Sequence, residues 1–126
     1  MRAHVFGAVW APLLLLAAPA AAQVAEQKVA VLQGLDKVTA RISTLRAPID
    51  QSVRFGTLLI TARTCSKRPP EEPPETSVFL EIYDLRQGAG PVLAYSGWMF
   101  ASSPALAAME HAVYDISVID CVAAAR

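Results

Sequence analysis

The sequence predicts a mainly β protein, a small antiparallel β-sandwich or barrel-like domain of about six strands with one short helix and one disulfide. Three observations carry that expectation. Apolar residues recur at period two along much of the chain, the pattern of half-buried strands. Segments bearing Gly and Pro interrupt those runs at short intervals, as turns do. Cys65 and Cys121 are the only cysteines, and an even count in an exported chain is most simply one bond.

Export is read from the first residues. Arg2 gives a basic start, Val5 to Leu16 an apolar run, and small residues follow up to Ala20-Ala21-Ala22. That is the three-part pattern of a secretory signal, and the small residues at Ala20 and Ala22 place cleavage between Ala22 and Gln23. A retained anchor needs roughly 20 apolar residues without breakers, whereas Pro12 and Pro19 interrupt a shorter run. Residues 1–22 are therefore expected to be a cleaved signal peptide, with no membrane insertion afterwards. Eleven Lys plus Arg balance eleven Asp plus Glu, so the chain lacks the basic footprint that nucleic acid or an anionic membrane surface demands.

The elements follow in order. Residues 23–30, polar and alanine-rich, are expected to be a flexible leader, 31–122 one β-rich domain, and 123–126 a C-terminal tail. Lys37 to Leu45 alternates Val38, Ala40, Ile42 and Thr44 against Thr39, Arg41 and Ser43, and predicts a strand that Pro48 breaks. Gln51 to Phe55 is a short segment before a turn at Gly56, and Thr57 to Cys65 is a strand with Leu58, Ile60 and Ala62 on one face. Lys67 to Glu75 holds four prolines and must be a loop, because proline lacks the amide donor and fixes φ. Thr76 to Arg86 resumes the alternation, with Val78, Leu80 and Ile82 on one side and Phe79, Glu81 and Tyr83 on the other. Gln87 to Pro91 is a turn, and Val92 to Phe100 another strand. Ser103 as cap and Pro104 at the first position predict one or two helical turns, and Ala112 to Val122 is the last strand.

Phase makes the disulfide expectation sharper. Cys65 is out of step with Leu58, Ile60 and Ala62, and Cys121 with Tyr114, Ile116 and Val118. Both sulfurs are then expected on the less buried face of two neighbouring antiparallel strands, facing each other near the strand ends. Closing a loop this long restricts the unfolded chain by about 4 kcal/mol in the loop-entropy account.

No catalytic constellation stands out. His111 is the one histidine beyond the leader, near Glu110, Asp115 and Ser102-Ser103, and a junction residue is the plainer reading. Glu81, Asp84, Asp115 and Asp120 could supply a carboxylate pair but read as a solvated face. Phosphate-binding glycine loops and calcium loops are missing from the sequence, and two distant cysteines with one histidine fall short of a zinc set, so neither metal nor cofactor is expected. Two surfaces remain as partner-binding candidates. Pro69, Pro70, Glu71, Glu72, Pro73 and Pro74 could present a stiff arm, and Trp98, Met99 and Phe100 could form an uncovered aromatic patch.

At Gly34 to Arg41, Val53 to Leu58, Cys65 to Thr76 and Ser96 to Pro104, continuing through Glu110 to Asp115 and Asp120-Cys121, the chain resembles a bacterial secreted family catalogued as domain of unknown function 2155. The resemblance implies a periplasmic home. It also implies a neighbourhood, since such proteins tend to be encoded near an accessory protein of respiratory NADH:quinone oxidoreductase, and it carries over no catalytic residues. The function expected is a non-enzymatic periplasmic binding or accessory domain meeting an envelope protein. The alternatives are a small cell-wall or glycan-acting hydrolase using His111 or a carboxylate pair, and a structural envelope protein without a specific ligand.

Overall fold

The computed structural model describes residues 7, 9–14 and 27–124. Cleavage at Ala22-Gln23, and most of the expected signal peptide, lie outside the described residues. Among the described residues no helix is long and apolar enough to cross a membrane.

Among the described residues seven antiparallel strands form two sheets. In the first, the order is β2 (Arg41–Pro48), β1 (Lys28–Asp36), β7 (Tyr114–Ala123). In the second, it is β3 (Ser52–Phe55), β4 (Leu58–Lys67), β5 (Thr76–Asp84), β6 (Val92–Phe100). The sheets pack face to face around Leu32, Leu58, Ile60, Val78, Leu80 and Ile82, all fully buried. The predicted fold class is therefore the observed one, with a seventh strand and with the short helix reduced to a 3-10 turn, Pro104–Ala107. Ser103 precedes that turn without a side-chain capping bond, its carbonyl instead accepting the Leu106 amide at 3.1 Å.

The N-terminal half departs from expectation. Residues 28–30 belong to β1, where Ala30 is fully buried, so the leader expected over 23–30 does not extend beyond Gln27. The strand expected over Lys37 to Leu45 is a turn followed by β2. Asp36 Oδ1 accepts the amides of Val38 (2.9 Å) and Thr39 (3.2 Å), and Ala40 takes a left-handed φ of 57°. This local side-chain capture wins over the β preference of Val38 and Thr39. At the other end Ala123 completes β7 and the Ala124 amide bonds Gln27 at 2.7 Å, so the expected tail over 123–126 begins inside the sheet.

The disulfide forms, but not between neighbours. Cys65 lies in β4 and Cys121 in β7, in opposite sheets, with Cα atoms 5.9 Å apart. Both are buried, at 2% and 8% exposure, rather than on an outer face. Two bulges explain the reversal. The β4–β5 register passes from Ala62↔Leu80 to Thr64↔Phe79, leaving Arg63 as an extra residue. The β7–β1 register passes from Val118↔Leu32 to Asp120↔Val31, leaving Ile119 extra. One inserted residue flips every later side chain to the other face, so both cysteines turn inward and meet across the core.

Candidate functional site

Polar chemistry gathers at both ends of the sandwich. At one end Asp84 closes β5, only 3% exposed. Thr57 donates to its Oδ1 at 2.7 Å, while Arg86 Nε (3.0 Å) and His111 Nε2 (2.8 Å) approach Oδ2. His111 Nδ1 accepts the amides of Val113 and Tyr114 at 3.0 and 3.1 Å, which leaves the ring proton on Nε2, pointed at Asp84. The hydrogen bond from His111, opposed by burial, holds the Asp84 carboxyl down to about 2. Tyr114 stacks beside the imidazole at 5.3 Å and crosses Gly56, where a φ of 58° and the nearby phenol leave no room for a Cβ. A general base needs a lone pair within reach of a substrate, and here Nδ1 spends its own on two main-chain amides. The cluster is suited to tying the ends of β4, β5 and β7 together.

At the opposite end a cleft of about 390 Å³ opens between the sheets, lined by Lys67, Pro74, Glu75, Ser102, Ile119 and Asp120 among others. Glu75 Oε1 accepts the amides of Thr76 (3.1 Å) and Ser102 (3.3 Å), and its Oε2 accepts the Ser102 hydroxyl, which holds the carboxyl below its usual range. Asp120 is lowered chiefly by Lys67, 2.9 Å away, and also accepts the Cys121 amide. The base of the Pro–Glu loop is thus fastened to the end of β6, while Pro69, Pro70, Glu71, Glu72, Pro73 and Pro74 all stand in solvent. The loop is a β4–β5 connection, closed at its neck by the Arg68 amide on Glu75 and at its tip by Glu72 on Pro69.

The aromatic candidate divides. Trp98 is 44% exposed on the outer side of β6, whereas Met99 points the other way and is 4% exposed in the core. Strand alternation forbids adjacent residues from sharing a face, so Met99 is removed from the expected surface. Phe100 is half-buried on the Trp98 side. The structure adds companions that the separate strand readings did not combine. Phe79 lies opposite Trp98, its ring edge-on at 5.5 Å, and Tyr83 opposite Leu93, so one solvent-facing side of the four-stranded sheet carries all of these. Phe79 and Tyr83 already shared a phase in the sequence, and only the pairing of β5 with β6 was missing. Arg63 crosses this side to Glu81 (3.1 Å) and Asp50 (3.2 Å).

The fold and these features define a small two-sheet β-sandwich stapled by one inter-sheet disulfide, with one outer face rich in aromatic side chains. The chain belongs to the bacterial family described as "Uncharacterized protein conserved in bacteria (DUF2155)", which matches residues 30–121. It is also 28% identical over 87 residues to an uncharacterised protein of Rickettsia prowazekii (strain Madrid E), an alignment covering 69% of this chain and 56% of that protein. The chain thus spans little more than half the length of that relative. No solved structure matches it.

Proposed function

We propose that this chain is a non-enzymatic accessory domain of the bacterial cell envelope, exported to the periplasm, that works by contact with a protein partner. The observation that carries the reading is the outer side of the four-stranded sheet. Tyr83, Leu93 and Trp98 are exposed there beside half-buried Phe79 and Phe100, with the Arg63–Glu81 pair among them. The outer side of the three-stranded sheet holds no aromatic residue and mixes aliphatic Val31, Leu35 and Ile42 with Gln33, Thr44, Arg46, Asp115 and Ser117. Aromatic residues and Arg are the types enriched where proteins bind one another, and they dominate the energy when they do. The Pro–Glu loop leaves the same sheet at the Trp98 end and supplies a polar rim. An inner-membrane respiratory complex is the kind of envelope assembly that the family resemblance suggests. Affinity capture from detergent-solubilised envelopes tests this with the native protein, Trp98→Ala, and a version lacking Pro69 to Pro74. Partners recovered by the native protein and lost with Trp98→Ala support the face, and equal recovery by all three overturns it.

A further inference from the structure

Resting on the outer-face reading above, we infer that Glu81 and the side chains around it form a notch that takes one arginine side chain of the protein partner. Strand register builds the notch. On the outer side of the four-stranded sheet β5 presents Phe79, Glu81 and Tyr83, and β6 sets Trp98, Ser96 and Leu93 opposite them in that order. Phe79 and Trp98, edge-on at 5.5 Å, make one wall, and Tyr83 with Leu93 makes the other. Residues on one face of a strand stand about 7 Å apart, so a row holding only Glu81 and Ser96 separates the two walls. Ser96 is small and exposed, and the extra residue Ala94 lengthens β6 between Ser96 and Leu93, so the β6 end of the row is open.

The carboxylate in this row is engaged on one oxygen. Arg63 reaches it from the β4 side with Nε and Nη2 both on Oε2, at 3.2 and 3.1 Å, and turns Nη1 to Asp50 at 3.2 Å. Among the described residues Oε1 of Glu81 accepts no hydrogen bond. Its side chain is 29% exposed, so the carboxylate has already lost much of its water while keeping an acceptor unused. Asp50 and Glu81 share the single guanidinium of Arg63, which leaves one negative charge in surplus. No cation on the β6 side offsets it, because the chain has no charged residue from Gln87 through Met109. Arg54 lies across β4 in the row of Tyr83, and its guanidinium turns to the Gly56 carbonyl at 3.5 Å.

Arginine matches these features together. Its planar guanidinium donates to a carboxylate oxygen, stacks on an aromatic face and stays charged across the physiological range, while its methylenes lie along apolar surface such as Leu93. Lysine brings a more strongly hydrated point charge without a flat face. An acidic segment would meet the surplus charge with its own sign.

A short uncharged peptide carrying one arginine, titrated into the native protein, reads the notch through the Trp98 indole and Ser96 amide resonances. Saturable binding on the order of millimolar is expected, as for one ion pair with a ring contact. Glu81→Gln weakens it about fivefold, and Ser96→Leu, which fills the notch and spares the carboxylate, does the same. Glu71→Gln, in the exposed Pro–Glu loop, leaves it unchanged. Absence of saturable shifts overturns the inference. So does equal binding of the peptide with glutamine or lysine in place of arginine, or equal weakening by Glu71→Gln, which would mark unspecific charge attraction. If Glu81→Gln does not fold, Ser96→Leu decides, and unchanged affinity there overturns it. Partner capture lost with Trp98→Ala beside an arginine peptide that does not bind sinks the notch and leaves the face standing, so the two readings fail separately.

Discussion

Arg63 in β4 and Ile119 in β7 are matched extra residues, each placed shortly before a cysteine and each turning that cysteine into the core. The inter-sheet bond between Cys65 and Cys121 depends on both. Deleting Arg63 or Ile119 alone restores strict alternation in one strand and points one sulfur outward. Each deletion is expected to yield two free thiols by titration under oxidising conditions, where the native chain shows none.

Breaking the bond while keeping the bulges separates the covalent contribution. Cys65 and Cys121 are 56 residues apart, and removing a cross-link over such a loop costs about 4 kcal/mol in the loop-entropy account. The double Cys→Ser variant should lose about that amount in urea unfolding. An unchanged midpoint would show that burial of the two sulfurs, not the link, holds the sheets.

Acid should act at the other end. The unfolded Asp84 carboxyl titrates near the ordinary value of about 3.9, and in the folded protein it is held down to about 2. Because the folded value is the lower one, its contribution of about 2 kcal/mol is present above roughly pH 4 and is lost as pH falls toward 2. Asp84→Asn is expected to lower stability at pH 7 and to flatten the acid limb between those values, measured by chemical unfolding at each pH.

Adjacent residues of β6 should respond oppositely. Met99→Ala empties core volume and is expected to cost about 2–5 kcal/mol. Trp98→Ala removes one edge-on ring contact with Phe79 and exposed area, costing about 1 kcal/mol, while abolishing partner capture. A thermal scan of both variants beside the capture assay checks the division.

Ala40 offers a gain. Its left-handed φ of 57° carries a steric cost that glycine avoids. Ala40→Gly is expected to raise stability by about 1 kcal/mol in denaturant unfolding, with the turn held by Asp36 unchanged.

Much of this architecture was legible along the chain. Val92 to Phe100 matches β6 at both ends, and Leu58, Ile60, Ala62 and Val78, Leu80, Ile82 are the inward faces that their alternation predicts. What failed to show has local causes. β1 was obscured because its interior includes Gly34, a turn signal by composition. In the structure Gly34 is buried under the Phe55 ring, which stands 2.8 Å from where a Cβ would lie. The bulges left no mark, since Arg63 and Ile119 differ in no way from ordinary strand residues, and one unseen residue in each strand reversed the inferred side of both cysteines. For the candidate surface, alternation had already set Phe79 and Tyr83 on one side. Trp98, Met99 and Phe100 were grouped as one aromatic run spanning both phases, whereas alternation sends Met99 to the side opposite Trp98 and Phe100.

β1 sits between β2 and β7, so the first strand of the domain has the last as one of its two neighbours. The three-stranded layer cannot be completed until the C-terminal segment arrives, and a chain threading out of a narrow channel N-terminus first must wait for its own end. Folding of that layer is therefore coupled to the arrival of the last strand, and the edge of β1 that β7 pairs with stays open until then.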